Sequence, residues 1–247
     1  MDLFLKGKNA IVTGATRGIG RAIAELLAAE GCNVALCARH EAAVDETVAA
    51  LAGHGVTSWG GRIDAADTAA LRAWVGDAAK ALGGLDIFVA NVSALAQSMD
   101  DESWRRSLEI DIMGTVAGIE AAIPLLEQSK SGAVVVVGTT GAIEIAGPPR
   151  PYASAKAALM ARNLAAKNIR TNMVSPGNVY FKGGVWNIVE ESNPALFQTM
   201  LARNPMGRMG TPAEVANAVV FLASSRASFI TGTNLIIDGA LTQRVQF

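Results

Sequence analysis

Short runs of β-branched residues alternate along the chain with longer Ala-rich stretches in which apolar residues return every three or four positions. The short runs predict strands at Ala10–Thr13, Asn33–Cys37, Thr57–Trp59, Ile87–Ala90, Ala133–Val137, Arg170–Val174 and Leu235–Ile237. The longer stretches predict helices at Gly20–Glu30, Glu41–Ala52, Asp67–Leu82, Ser103–Gln128, Tyr152–Asn168 and Thr211–Ser224. Val134–Val137 has no polar alternation, as expected of a strand covered on both faces. Thr211, Pro212 and Glu214 spell an N-cap, an N1 proline and a capping box. The alternation predicts an α/β fold with a doubly wound sheet of about seven mainly parallel strands and helices on both faces. Without a repeat, linker or low-complexity tract, residues 1–247 are expected to form a single domain. Asn178–Gly210 interrupts the alternation: Gly183, Gly184, Pro194 and Pro205 surround Trp186, Ile188, Phe197 and Leu201. It is expected to be either a substrate-covering flap or a packing elaboration.

Composition narrows the function classes. Hydrophobic residues make up 51% and charged residues 17% of the 247, enough to cover both faces of a sheet. Lys and Arg (21) nearly cancel Asp and Glu (22), so no broad positive field is present for nucleic acid or an acidic membrane surface. The N-terminus runs into a strand before any signal-like stretch, and no apolar run reaches membrane-spanning length, so a cytoplasmic location is expected. Cys32 and Cys37 lack zinc spacing and are expected to be core thiols. His40 and His54 have no second ligand nearby, so no metal is expected.

The first strand and helix enclose TGATRGIG, with Gly14, Gly18 and Gly20 at the turn. Glycines there let the backbone turn tightly against a pyrophosphate, with the helix N-terminus offering free N–H groups. As the first unit of a βαβ pattern, this predicts a Rossmann-type dinucleotide site. Where an acid would hold the ribose 2′-hydroxyl of NAD stands Ala38, followed by Arg39. Arg39 and Arg17 are either solvated surface residues or a clamp for a 2′-phosphate; together with the missing acid they favour NADP(H) over NAD(H).

Tyr152 and Lys156 stand four apart at the start of a predicted helix and project from one face. An ammonium near a phenol favours the phenolate, so Tyr152 is expected to exchange a proton with a substrate oxygen.

Together these motifs resemble the short-chain dehydrogenase/reductase (SDR) family along essentially the whole chain. TGATRGIG is similar to its cofactor loop, Asp64 to its adenine-contacting acid, NVSA (Asn91–Ala94) to its NNAG, YASAK to its YxxxK, SPGNV to its PG loop and TGTNLIIDGA to its closing strand. The resemblance implies cofactor contacts from Gly14, Thr16, Arg17, Gly18, Ile19, Gly20, Arg39, Ile63, Asp64, Asn91, Ser93, Tyr152, Lys156, Pro176, Gly177 and Val179. It also implies that Lys156 binds the nicotinamide ribose. The serine that orients the carbonyl falls on Thr139, which keeps a hydroxyl but adds a methyl group. The proton-relay asparagine falls on Asp111, which keeps an acceptor, loses the amide donors and requires pairing, with Lys156 through water as the candidate. Three further departures are Ala94 at the glycine of NNAG, where a Cβ is expected to crowd the backbone, Phe181 at the threonine after the PG loop, and a short Tyr152–Pro176 interval.

The expected activity is hydride transfer between NADP(H) and a carbonyl or secondary alcohol, ketone- or 3-oxoacyl-reductase-like, with Tyr152, Lys156, Thr139 and Asp111 as catalytic residues. The substrate is expected to be small and partly hydrophobic. The resemblance implies a homodimer or homotetramer. The alternative is an NADP(H)-binding regulatory protein in which the same departures have weakened or abolished catalysis.

Overall fold

A computed structural model describes residues 2–96, 98–144, 151–158 and 164–243. Seven strands form one wholly parallel sheet: β1 (Asn9–Thr13), β2 (Asn33–Ala38), β3 (Ser58–Arg62), β4 (Ile87–Ala90), β5 (Gly132–Val137), β6 (Ile169–Pro176) and β7 (Asn234–Ile237). Their order is β3-β2-β1-β4-β5-β6-β7. The order reverses between β1 and β4, so the chain leaves these two strands in opposite directions and opens a crevice at their carboxyl ends. Register places Ile11 against both Ala35 and Phe88, and Val135 between Val89 and Asn172.

Helices cover both faces. α1 (Gly18–Ala29), α2 (Glu41–Ala52) and α9 (Pro212–Ala223) lie on one side, where Ile23, Leu27, Val215 and Val219 pack on Val12, Val34 and Val135. α3 (Thr68–Leu82) and α5 (Thr115–Leu126) lie on the other, where Leu71, Val75, Ala122 and Leu126 pack on Ile11, Phe88 and Val134. The inner strands β1, β2, β4 and β5 therefore each feed two apolar layers, which is why their sequences lack polar alternation. Cys32 and Cys37 are buried free thiols, both pushed up to about 12 chiefly by burial.

Several elements differ from the sequence reading. β3 extends through Gly60 and Gly61, residues ordinarily weak in strands. Their bareness is what the packing requires: a Cβ on Gly60 would lie 2.4 Å from Val44 Cγ1, and one on Gly61 2.2 Å from Trp74 Nε1. The helix expected over Ser103–Gln128 is α4 (Asp101–Arg106), an eight-residue π-helical turn (Ser107–Gly114) and α5, all one helical path. Of the helix expected over Tyr152–Asn168, α6 spans Pro151–Ala158 and a 3₁₀ turn spans Ala165–Lys167; 159–163 lie outside the described residues. Within 178–210 two helices appear, α7 (Val185–Ser192) and α8 (Pro194–Ala202), the second started by Asn193 capping Leu196 N and by Pro194 at N1. No helix among the described residues is long and apolar enough to cross a membrane.

Candidate active site

The loop between β1 and α1 is tied to the two neighbouring strands. Gly14 N and Ala15 N both donate to Cys37 O of β2, at 2.9 and 3.4 Å. Asn91, just beyond β4, donates through Nδ2 to Thr13 O (3.0 Å) and Gly14 O (2.9 Å). The Thr13 hydroxyl donates to Val89 O and accepts from Asn91 N at 3.1 Å and Val92 N at 3.3 Å. Sequence reasoning passed over Thr13. Its signal was a hydroxyl ending an otherwise apolar strand, where a buried donor must find partners.

Gly14 (φ 66°) and Gly18 (φ 55°) occupy left-handed backbone that L side chains rarely adopt. Gly20 is needed for a different reason: a Cβ there would lie 2.3 Å from Gly14 O and 2.4 Å from Asn91 Nδ2. The α1 N-terminus has no side-chain cap and no acidic residue in its first turn, so its N–H groups remain available to an anion. Arg17 and Arg39 flank this loop in sequence and at the end of β2; both are exposed, and neither guanidinium makes an ion pair among the described residues. Ile63 N donates to Ala38 O, which sets the chain leaving β3 beside the end of β2. One Asp64 oxygen accepts from Ala66 N at 3.1 Å, and the residue stays exposed. These features fit a dinucleotide: a loop without room for a Cβ, an uncapped helix start and two unpaired cations.

Across the crevice, α6 begins with Pro151, so Tyr152 and Lys156 leave successive turns on one face. Thr139, just after β5, accepts from Gly141 N at 3.2 Å, and its hydroxyl also bonds the Tyr152 phenol. Lys156 is 2% exposed and Asp111 0%. The Lys156 Nζ lies 3.4 Å from Asp111 Oδ1 and donates to Val92 O at 3.3 Å. Asp111 Oδ2 accepts from Ala94 N at 3.4 Å. The carboxylate and ammonium therefore meet directly, without the intervening water expected from sequence. Burial pushes the Lys156 ammonium down from its ordinary range, and Asp111 opposes that shift. The Tyr152 phenol is pushed up to about 12, by burial first, with the Thr139 hydrogen bond lowering it and the charge of Asp111 raising it further. The expectation that Lys156 would make the phenol acidic is corrected: the ammonium is engaged by Asp111 and the Val92 carbonyl, and the phenol remains protonated at neutral pH.

Other departures find physical accommodation. The left-handed residue near Ala94 is Leu95 (φ 50°), whose N–H is held by the Ser93 hydroxyl at 3.0 Å, while Ala94 packs against the core. Gly177 N donates to Ile237 O, and a Cβ on Gly177 would strike Asp238 Cβ at 2.7 Å, so Pro176 and Gly177 turn tightly against the end of β7. Val179 bridges Gly210, joining both ends of the inserted segment. The Phe181 ring lies over Gly18 and Gly184, where a Cβ would come within 2.5 and 2.8 Å of it. Its position was not legible from sequence, which predicted only a missing hydroxyl.

Residues 14–242 match the family described as enoyl-(acyl carrier protein) reductase. Isoepoxydon dehydrogenase patN of Penicillium expansum is 37% identical over 98% of both chains. The chain belongs to the short-chain dehydrogenase/reductase family. Among solved SDR structures, L-sorbose reductase of Gluconobacter frateurii, complexed with NADPH and L-sorbose, superposes with a TM-score of 0.90 at 28% identity, over 99% of this chain and 100% of that one. A 7α-hydroxysteroid dehydrogenase complexed with NADH and 7-oxo glycochenodeoxycholic acid gives 0.88 at 29% identity, over 99% and 98%. This SDR is accordingly an oxidoreductase.

Proposed function

We propose that this oxidoreductase reduces a small carbonyl compound, or oxidises the corresponding secondary alcohol, with NADP(H) as the preferred dinucleotide. The observation that carries this reading is the convergence of the Tyr152 phenol and the Thr139 hydroxyl across the β1/β4 crevice from the glycine loop. When bound, the dinucleotide supplies or removes the hydride. Gly14 and Gly18, in left-handed backbone, and Gly20, packed on Gly14 O and Asn91, shape the tight turn whose backbone N–H groups would meet its pyrophosphate, and Arg17 and Arg39 would present cations to a 2′-phosphate. Thr16, Ile63, Asp64, Asn91, Ser93, Gly177 and Val179 belong to the loops that would surround it, together with Ile19 in the first turn of α1 and Pro176 at the end of β6.

Tyr152 and Thr139 offer two O–H donors to one substrate oxygen. Such a pair orients a carbonyl and stabilises negative charge developing on its oxygen. Tyr152 then gives its proton to that oxygen, and in the reverse direction receives one from the alcohol. Lys156 is held in place by Asp111 and Val92 O. Residues 178–210 would cover the crevice and exclude water, a reading supported by the Phe181 ring lying over Gly18 of the glycine loop. The apolar character of that cover supports a partly hydrophobic substrate.

NADPH consumption, followed by absorbance against ketoses, cyclic ketones and 3-oxoacyl thioesters, tests the proposal. Wild-type chain is expected to turn over at least one class, and Tyr152→Phe to lose about 10²–10⁴-fold in kcat. Equal turnover by the variant would remove Tyr152 from the chemistry.

A further inference from the structure

Asp111 puts a full negative charge at a position closed to water. It is fully buried on the π-helical turn, and its described polar neighbours are the Lys156 ammonium and the Ala94 amide. Oδ1 makes no well-aligned hydrogen bond, so its 3.4 Å approach to Nζ is held chiefly by Coulomb attraction. A buried carboxylate is strongly destabilising unless a cation sits beside it, and Lys156, itself buried, is that cation. The two charges form a net-neutral pair next to the phenol. A lone ammonium would draw the phenolate out; an ammonium matched by a carboxylate does so far less, and the carboxylate repels the phenolate directly.

Resting on the function proposed above, we propose that Asp111 is a positioning residue that holds Lys156 in a direct buried ion pair and thereby sets the pH range in which Tyr152 can accept a proton, keeping it a proton donor throughout neutral pH. Burial and the charge of Asp111 both act in that direction on the phenol, and only the Thr139 hydroxyl acts against them. No other charge intervenes among the described residues. On the elements packed against the π-helical turn, Arg105 is paired with Glu102 and attracted by Glu109, Arg72 is paired with Glu120, and Asp101 and Arg106 are exposed. In the reducing direction the phenol O–H bond breaks as the substrate O–H bond forms, and solvent returns a proton to the phenolate. In the oxidising direction the phenolate must form first, so alcohol oxidation should climb with pH well beyond neutrality.

The chain has two tyrosines, and Tyr180→Phe leaves Tyr152 as the sole phenol. Tyrosinate absorbance in that variant, titrated without dinucleotide or substrate, is expected to show a midpoint above the ordinary value of about 10. Adding Asp111→Asn should lower the midpoint by about one unit or more, a tenfold or greater rise in phenolate at any lower pH. The pH at which alcohol oxidation stops rising should fall by the same interval. A midpoint unmoved or raised by Asp111→Asn overturns the proposal. So does a midpoint at or below about 10 in the Tyr180→Phe chain alone, which decides the matter if Asp111→Asn does not fold. Tyrosinate that appears only with loss of far-ultraviolet circular dichroism counts as a midpoint above the unfolding pH. Because the titration needs no turnover, it answers separately from the Tyr152→Phe assay.

Discussion

Two glycines of one chain illustrate how differently a missing side chain can matter. At Gly20 the constraint is space, because the Gly14 carbonyl and the Asn91 amide occupy what a Cβ would need. At Gly55 (φ 75°) nothing lies within 4 Å, and the constraint is backbone conformation alone. Gly20→Ala is therefore expected to destabilise the chain by about 1–3 kcal/mol through overpacking. It should also weaken dinucleotide binding, because the clash spreads the loop that Asn91 and Thr13 hold closed. Gly55→Ala should cost about 1–2 kcal/mol and leave binding intact. Urea denaturation and NADPH titration of the two variants separate these outcomes; equal binding losses would show that the loop responds to global stability and not to its own shape.

Elements carry constraints that no single residue reveals. The π-helical turn Ser107–Gly114 interrupts a path that reads in sequence as one helix, and it turns Asp111 into the protein where an i→i+4 ladder would direct residues differently. Gly114, at its end, is tight against Ala65, whose carbonyl would lie 2.6 Å from a Cβ. α9 shows a helix start built as its sequence predicted. Thr211 accepts from Glu214 N while Glu214 reaches back to Thr211 N, and Arg208 clasps the same carboxylate. Thr211→Ala should cost about 1 kcal/mol. Arg208 first, and then the Thr211 N–H, hold the Glu214 carboxyl down to about 2, against an ordinary 4.5. A carboxyl depressed in the folded state contributes stability above its unfolded value and loses it as pH falls through the folded one. The stability difference between wild type and Glu214→Gln, read from urea midpoints, should thus be constant above pH about 4.5 and shrink toward pH about 2. A difference independent of pH would remove the carboxylate from the cap.

For the whole molecule, the reversal of strand order between β1 and β4 brings together segments far apart in sequence: residues 14–20, 91–95, Thr139 and residues 152–156 converge although more than a hundred positions separate the first from the last. A ligand bound there touches several elements and stabilises the folded chain by mass action, about 2.7 kcal/mol at a hundredfold excess over Kd. NADPH is expected to raise the melting temperature more than NADH at equal concentration, and Arg39→Ala to remove most of that difference while sparing the NADH shift. Equal losses with both dinucleotides would take Arg39 out of phosphate recognition.

By itself the sequence determined the strand and helix order, the glycine loop, the α9 cap and the Tyr152/Lys156 spacing, because each depends on neighbours a few residues away: periodicity, capping and turn chemistry are local. Only the tertiary structure decided that Gly60 and Gly61 extend a strand, that Phe181 lies on Gly18, and that residues within 178–210 form two helices. It also decided where the Lys156 charge goes. Asp111 and Tyr152 are 41 positions apart, and which of them the ammonium faces depends on a π-helical turn and a shared buried pocket. Electrostatics in such a pocket follows distance and exclusion of water, quantities that chain spacing does not encode.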